Sequence, residues 1–172
     1  QCVMACDIDE AARKTYEFNF KNISPKMFKD GLFLKDVEDI NGDNLPDFDI
    51  LCAGFPCQPF SQAGYKRGFS DKGRGTLFFD IARIIDFKRP TALFLENVRG
   101  IVNHDNGKTL KIIRTILSDL GYDFYMKIVK ATDYGLPQLR PRAFMVCFNR
   151  KHLRKDAPEF KFPTKHLSLI HI

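Results

Sequence analysis

The feature that most constrains this chain is the alternation of short apolar runs with segments of helical spacing. Short apolar runs bounded by turn residues are typical of buried strands, whereas apolar residues three and four positions apart are typical of amphipathic helices. Their alternation favours βαβ units and a mainly parallel sheet, and therefore an α/β fold. The predicted strands are Cys2–Cys6, Phe48–Ala53, Ala92–Leu95, Phe124–Val129 and Ala143–Phe148, and the predicted helices are Asp9–Phe20, Thr76–Phe87 and Thr109–Leu120.

Length and composition favour one folded domain. The chain has 172 residues, of which 44% are hydrophobic and 17 are Phe, and a domain takes roughly 100 to 200 residues. No apolar run approaches the ~20 residues that cross a bilayer. The acidic residues Asp7, Asp9 and Glu10 are unlike a signal peptide. We therefore expect a cytoplasmic protein without a membrane partner.

The charge is divided unequally between the two halves. Residues 1–86 carry 11 basic and 14 acidic side chains, and residues 87–172 carry 16 and 7. The second half, at net +9, favours a phosphate-bearing partner only slightly over a solvated surface. The five cysteines, an odd number in a chain without secretory features, make a disulfide framework improbable. Neither they nor the four scattered histidines form a zinc-binding spacing, so we expect no metal.

Unusual polar residues occur where the predicted strands end. Ligands of open α/β sheets bind beyond the carboxyl ends of the strands. Asp7 follows the first strand, and Cys57 lies near the start of a long predicted loop over Gly54–Gly75. Glu96 follows Leu95, and Gln138–Arg142 leads into the last strand. These positions are where we expect the chemistry.

Two of these residues suit covalent and acid–base chemistry. Cys57 is either a buried structural cysteine or a reactive thiol exposed by its Pro- and Gly-rich loop. Glu96 is either a solvated or helix-capping carboxylate, or a partly desolvated acid with a raised pKa.

The other strand-end residues suit ligand binding. Arg140 and Arg142 are two positions apart with one residue between them, and on a strand-like segment the notional faces alternate. One arginine could therefore meet a carboxylate or phosphate while the other is a surface charge. Asp7 and Asp36 could each be a helix N-cap or could each bind ribose hydroxyls. No glycine-rich phosphate loop supports NAD or ATP.

Together these segments resemble the DNA (cytosine-5)-methyltransferases, especially those of bacterial restriction-modification systems and the orphan enzymes. The most specific part is Asp49–Ser61, which is similar to the family's catalytic Pro-Cys-Gln motif. Five further segments follow in the family's order over about a hundred positions: Gly73–Phe79, Glu96–Val98, His104–Gly107, Asp133–Gln138 and Arg140–Arg142.

The resemblance implies a Rossmann-like domain that uses S-adenosylmethionine to methylate C5 of cytosine in duplex DNA. Cys57 would add to C6 of a cytosine that has been turned out of the helix. Glu96 would contact N3, Arg140 would hold that carboxylate and contact the base oxygen, and Arg142 would support them.

The resemblance also implies the binding residues. Asp7 would bind the ribose of S-adenosylmethionine, and Gly54 and Pro56 would contact it near the methionine portion. Adenine contacts are expected from Ile8, Asp36, Val37 and Leu77. DNA contacts are expected from Gln58, Ser61, Gln62, Lys66 and Arg67. A cognate restriction endonuclease could belong to the same system, with no stable protein partner required.

Two parts of the family pattern are missing. The family's first glycine-rich motif would precede Gln1, and its target-recognition region would follow about residue 160. We therefore expect residues 1–149 to be part of a catalytic domain truncated at both ends. Residues 150–172 would begin a linker toward the target-recognition region. Their last residues continue no predicted element and could be a truncation scar. We also expect residues 1–172 alone to be inactive and poorly stable, because strand edges are left unpaired; appreciable DNA methylation by them would contradict this.

Two rival functions remain open. A branch of the same family methylates cytosine in transfer RNA with the same cysteine and glutamate, although the Gly54–Ser61 context resembles the DNA branch more. The other rival is a non-catalytic DNA-binding relative, which would not need to retain Cys57, Glu96, Arg140 and Arg142 together.

Overall fold

The computed structural model describes residues 1–57, 77–154 and 156–165. The strands are β1 (Ala5–Cys6), β2 (Phe33–Leu34), β3 (Ile50–Gly54), β4 (Ala92–Val98), β5 (Tyr122–Lys130) and β6 (Pro141–Asn149), and the α-helices are α1 (Glu10–Phe20), α2 (Pro25–Lys29), α3 (Leu77–Lys88) and α4 (Lys108–Asp119). The predicted α/β class is confirmed.

The strands form two sheets within the described ranges. β1 pairs with β2 in parallel, and the larger sheet has the order β3-β4-β6-β5. β3 and β4 are parallel, whereas β6 is antiparallel to both of its neighbours. The larger sheet is therefore mixed, with only β6 reversed. The reason is the connection of residues 131–140, which is too short for the crossover that a parallel neighbour needs.

The main core lies on one face of the larger sheet. Alternate residues of β4 and β6 point to this face, including Leu93, Leu95, Ala143, Met145 and Cys147, all fully buried. They cluster with apolar residues of both α3 and α4. Removing this much apolar surface from water is the main force that holds the helices against the sheet.

The helix boundaries follow local signals in the sequence. The side chain of Asp9 accepts a hydrogen bond from the amide of Ala12 at 2.7 Å, which makes Asp9 the N-cap of α1. In α4, the spacing of the buried residues Ile113, Ile116 and Leu117 gives one apolar face. Gly121, with φ of 89°, follows α4 and ends it, because glycine adopts this left-handed conformation without steric cost.

Several strands differ in extent from the predictions. β1 is shorter than Cys2–Cys6, whereas β4 continues through Val98 and β6 begins at Pro141. Glu96 therefore lies inside β4 and does not follow it. The extension has a physical cause: Glu96 faces Gly54 on one neighbouring strand and Phe144 on the other, so both edges of β4 remain paired there.

Two leucines that differ in burial test the core. Leu95→Ala is expected to lower the free energy of unfolding by about 2–5 kcal/mol, because it leaves a cavity in a fully buried site. Leu139→Ala makes the same chemical change at a side chain that is 80% exposed, and is expected to change it by less than ~0.5 kcal/mol. Urea unfolding of both variants measures the difference, and equal losses would contradict the described core.

Candidate active site

Several predicted site residues meet at one edge of the larger sheet. β3 and β4 both end at this edge, and β6 begins there because it runs in the opposite direction. In the register of the sheet, Gly54 lies opposite Glu96, and Val98 lies opposite Arg142. Sheet pairing thus brings together segments that are far apart in the sequence.

Glu96 and Arg142 form an ion pair across this edge. The Nε of Arg142 lies 2.8 Å from Oε1 of Glu96, and both side chains are partly exposed, at 22% and 35%. The other carboxylate oxygen, Oε2, lies only 3.4 Å from where a Cβ on Gly54 would be. The Glu96 carboxylate is thus held by the Arg142 guanidinium on one side and lies close to the backbone of Gly54, which has no side chain, on the other.

The turn that carries Cys57 is held by a buried amide. Asn97 is 1% exposed, and its Nδ2 donates a hydrogen bond to the carbonyl of Phe55 at 2.7 Å. Its Oδ1 accepts from the amide of Val98 at 2.8 Å. The Phe55 ring packs against Phe78 of α3, with ring centroids 5.3 Å apart. Polar and apolar contacts therefore both fix the backbone just before Cys57.

Cys57 itself is half-buried against the core. Desolvation by burial raises the pKa of its thiol above the ordinary value of 9.0, because the charged thiolate loses hydration. In this state the thiol is predominantly protonated at neutral pH. A nucleophilic role therefore requires activation when the substrate binds.

A cavity of about 590 Å³ lies beside this edge, between the β1–β2 sheet and β3. Its size falls in the range of small-molecule sites. Six of the seven residues predicted to contact the cofactor line it: Asp7, Ile8, Asp36, Val37, Gly54 and Leu77. Pro56 is exposed and is not among the lining residues. Two carboxylates at the rim of a largely apolar cavity suit a ligand that has hydroxyl groups and a flat apolar ring.

Local hydrogen bonds show whether Asp7 and Asp36 act as helix N-caps, which was one of the two predicted roles for each. Asp7 is not the N-cap of α1, because Asp9 takes that position and Asp7 accepts from the amide of Asp9 at 2.9 Å. Asp36 likewise accepts from the amide of Glu38 at 3.0 Å, which forms a local turn. Asp7 is exposed and Asp36 is half-buried, both line the cavity, and both retain acceptor capacity for a ligand.

Comparison with known proteins decides the family. The profile of the family described as C-5 cytosine-specific DNA methylase matches residues 1–171. The chain belongs to this family. Among its relatives, the Type II methyltransferase M.HhaI of Haemophilus parahaemolyticus is 44% identical over 163 residues, which are 95% of this chain and 46% of that protein. The Type II methyltransferase M.SsoII of Shigella sonnei is 46% identical over 162 residues, 94% of this chain and 40% of that protein.

Solved structures agree with the fold. A prophage-encoded E. coli protein described as a DNA modification methyltransferase matches with a TM-score of 0.65 and 28% identity, over 88% of this chain and 41% of that chain. A DNMT2 variant of Spodoptera frugiperda matches with a TM-score of 0.66 and 20% identity, over 96% of this chain and 49% of that chain, and this likeness shows the fold alone. This member of the C-5 cytosine-specific DNA methylase family spans less than half the length of these relatives.

One predicted pairing in this family member is wrong. Arg140 was expected to hold the Glu96 carboxylate, but Arg140 is exposed and the contact is made by Arg142. The cause is the boundary of β6, which begins at Pro141. Arg142 therefore lies in the sheet, beside the neighbouring strand β4 that carries Glu96. The expected DNA contacts from Gln58, Ser61, Gln62, Lys66 and Arg67 lie outside the described residues, as do Thr76 and most of the long predicted loop.

The sequence reasoning missed Asn97 as a functional position. A buried amide among the apolar residues of β4 was the available signal, because buried polar groups are retained where they complete a hydrogen bond. It also missed further lining residues of the cavity, among them Cys6, Lys35, Cys52 and Ile81. These lie on elements whose mutual placement depends on the fold.

In the described ranges, no group of three or more His, Cys, Asp or Glu side chains is arranged to hold a metal ion. None of the helices in those ranges combines the length and apolarity that a membrane span requires. All five cysteines are free thiols.

The raised pKa of Cys57 leads to a testable pH dependence. The thiolate is the reactive form, so alkylation by iodoacetamide without substrate should follow a titration whose midpoint lies above that of a peptide spanning residues 55–62. At neutral pH, Cys57 should therefore react more slowly than the peptide, and its rate should still rise above pH 9.0. Peptide mapping by mass spectrometry follows Cys57 separately from the other thiols. A midpoint at or below that of the peptide would contradict the described burial.

Proposed function

We propose that the protein containing this chain transfers a methyl group from S-adenosylmethionine to C5 of cytosine in DNA. The observation that carries the proposal is the meeting of three groups at one sheet edge: the Cys57 turn, the Glu96 carboxylate and Arg142. The family match and the Type II methyltransferases among the relatives support the same chemistry.

The residues at this edge have separate roles in the proposed reaction. Cys57 Sγ, as a thiolate, forms a bond to C6 of the ring, and electron density moves toward C5 and N3. The Glu96 carboxyl group, in its protonated form, donates its proton to N3 and so relieves the developing negative charge, and Arg142 holds the carboxyl group in place. C5 becomes nucleophilic and accepts the methyl group. A base then removes the C5 proton, Sγ leaves C6 as the thiolate, and N3 returns its proton to Glu96, which restores the aromatic ring.

The cavity beside β3 fits the cofactor. Asp7 and Asp36 would accept hydrogen bonds from ribose hydroxyls or adenine nitrogens, and Ile8, Val37 and Leu77 would supply apolar contacts to the adenine ring. Gly54 is common to the cavity and to the edge that holds Glu96. When bound, S-adenosylmethionine supplies the methyl group.

The proposed substrate is duplex DNA with the target cytosine turned out, because C6 is inaccessible in a stacked helix. Gln58, Ser61, Gln62, Lys66 and Arg67 are proposed to contact this DNA. On this proposal residues 1–149 belong to the catalytic domain and residues 150–172 begin a linker to a target-recognition region. The protein would act on nucleoid DNA in the cytoplasm. Type II methyltransferases among the relatives favour a role in restriction-modification, with a cognate endonuclease as a functional counterpart.

Trapping of the covalent intermediate tests the chemistry. The complete protein is incubated with S-adenosylmethionine and a long duplex in which 5-fluorocytosine replaces cytosine, so that many sequences are present. Fluorine cannot leave as the C5 proton does, and a protein–DNA adduct that survives denaturation is therefore expected. Cys57→Ser should abolish this adduct, because the serine hydroxyl is far less nucleophilic than a thiolate.

Cys2→Ser is the matched control and should form the adduct as the unaltered protein does, because Cys2 is not among the residues that line the cavity or form the Glu96–Arg142 pair. An adduct that persists in Cys57→Ser would exclude Cys57 as the nucleophile. An adduct with 5-fluorocytosine-containing transfer RNA and none with DNA would replace the DNA function by the RNA one. No adduct with either would leave a binding protein.

The two arginines can be separated by the same conservative change. Arg142→Lys keeps the charge but loses the guanidinium contact to Glu96, and should slow single-turnover methylation by about 10- to 100-fold, since a hydrogen bond to a charged group contributes ~1.5–3 kcal/mol. Arg140→Lys should slow it less, because Arg140 does not hold the carboxylate. The opposite order would return the carboxylate-holding role to Arg140.

A further inference from the structure

The segment formed by residues 156–165, here called the C-terminal strap, packs on the sheet face opposite the main core. The ring of Phe160 lies 5.4 Å from that of Tyr125 on β5 and 5.3 Å from that of Phe148 on β6, measured between centroids. Phe162 packs edge-on against Phe160 at 5.1 Å. Aromatic pairs at these separations attract each other beyond the effect of the apolar area that they bury. The strap is therefore attached to both strands of the β5–β6 hairpin.

Beyond these rings, two polar contacts tie the C-terminal strap to the turn that follows β5. The hydroxyl of Tyr134 donates to the carbonyl of Pro163 at 3.0 Å. The Nζ of Lys165 lies 3.0 Å from Oδ2 of Asp133, whose side chain is only 20% exposed. Both contacts fall on consecutive residues of one short 3₁₀ turn, Ala131–Tyr134. The strap thus holds this turn from outside the sheet.

The turn is joined to Arg142 by the short connection of residues 135–141. Its carbonyl at Ala131 accepts from the amide of Leu136, and β6 begins a few residues later at Pro141. Pro141 pairs with Lys130, so the connection closes at the position that precedes Arg142. A displacement of the turn would therefore reach the ion pair with Glu96 through few intervening residues.

We infer that Tyr134 and Asp133 are positioning residues that act through Arg142, and that the C-terminal strap is their anchor. This inference rests on the proposed function, because it assigns a catalytic consequence to the placement of Arg142. Neither residue needs to touch the substrate. Their contribution would be to hold the guanidinium within the small tolerance that catalytic geometry requires.

The experiment uses Tyr134→Phe and Lys165→Ala in the complete protein. Tyr134→Phe removes only the hydroxyl that donates to Pro163, and Lys165→Ala removes the partner of Asp133. Each should slow single-turnover methylation at saturating DNA and S-adenosylmethionine by about tenfold, as a small displacement of a catalytic group does, while KM for both substrates stays within about twofold. Tyr125→Phe is the matched control, since it removes a hydroxyl from a ring that packs on the strap but lies outside the turn.

Two further arms separate positioning from general destabilisation. The exchange of charges in Asp133→Lys with Lys165→Asp should restore the rate that Asp133→Lys alone loses. In an Arg142→Lys background, Tyr134→Phe should have no further effect on the rate, because the two changes then act through one group. The inference would be overturned if the charge exchange did not restore the rate. It would also be overturned if Tyr134→Phe slowed methylation equally with Arg142 and with Lys at position 142.

Amide hydrogen exchange distinguishes failure of the inference from failure of the proposed function. In Tyr134→Phe and in Lys165→Ala, amide exchange should become faster in residues 131–142 and stay unchanged in β3, whether or not the protein methylates DNA. Unchanged exchange in residues 131–142 would overturn the inference even in an active enzyme. An unaltered protein that methylates neither DNA nor RNA, with faster exchange in the variants, would refute the proposed function and its catalytic consequence but retain the anchoring role.

Discussion

The parallel pairing of β3 with β4 is the constraint on which the site depends. Gly54 can lie opposite Glu96 only if the register of this pairing is kept, and a slip of one residue would direct every side chain of a strand to the other face. The same register places Asn97 on the core side, where it reaches the carbonyl of Phe55. Backbone hydrogen bonding in the sheet therefore positions the carboxylate and the Cys57 turn at once.

The antiparallel strand β6 adds the third component of the site. Because it runs against β4, its first residues lie beside the last residues of β4, and Arg142 reaches Glu96. A parallel strand at this position would have placed its last residues there instead. Because β6 is reversed, the start of this strand, and not its end, supplies the arginine that pairs with Glu96.

Much of this arrangement could be predicted from sequence pattern. Apolar periodicity identified α1, α3, α4 and five of the six described strands, because burial of one face dictates the spacing, whereas α2 and β2 were not predicted and are too short to show a period. The motifs grouped Cys57, Glu96 and the two arginines, and six of seven predicted cofactor contacts line one cavity. What pattern could not supply was the partner of Glu96, since the choice between Arg140 and Arg142 depends on where β6 begins. The direction of β6 and the role of Asn97 likewise depend on contacts between strands that are distant in sequence.

The amide of Asn97 makes the site sensitive to slow chemical ageing. Both of its polar atoms are used, one as a donor to Phe55 and one as an acceptor from Val98. Deamidation would replace the donor with a carboxylate oxygen and place it against a buried carbonyl, so that two acceptors would face each other without a proton between them. Repulsion between them would push the backbone before Cys57 away from β4. A chemical change at a buried side chain that contacts no substrate in the proposed reaction would thereby reach the nucleophile.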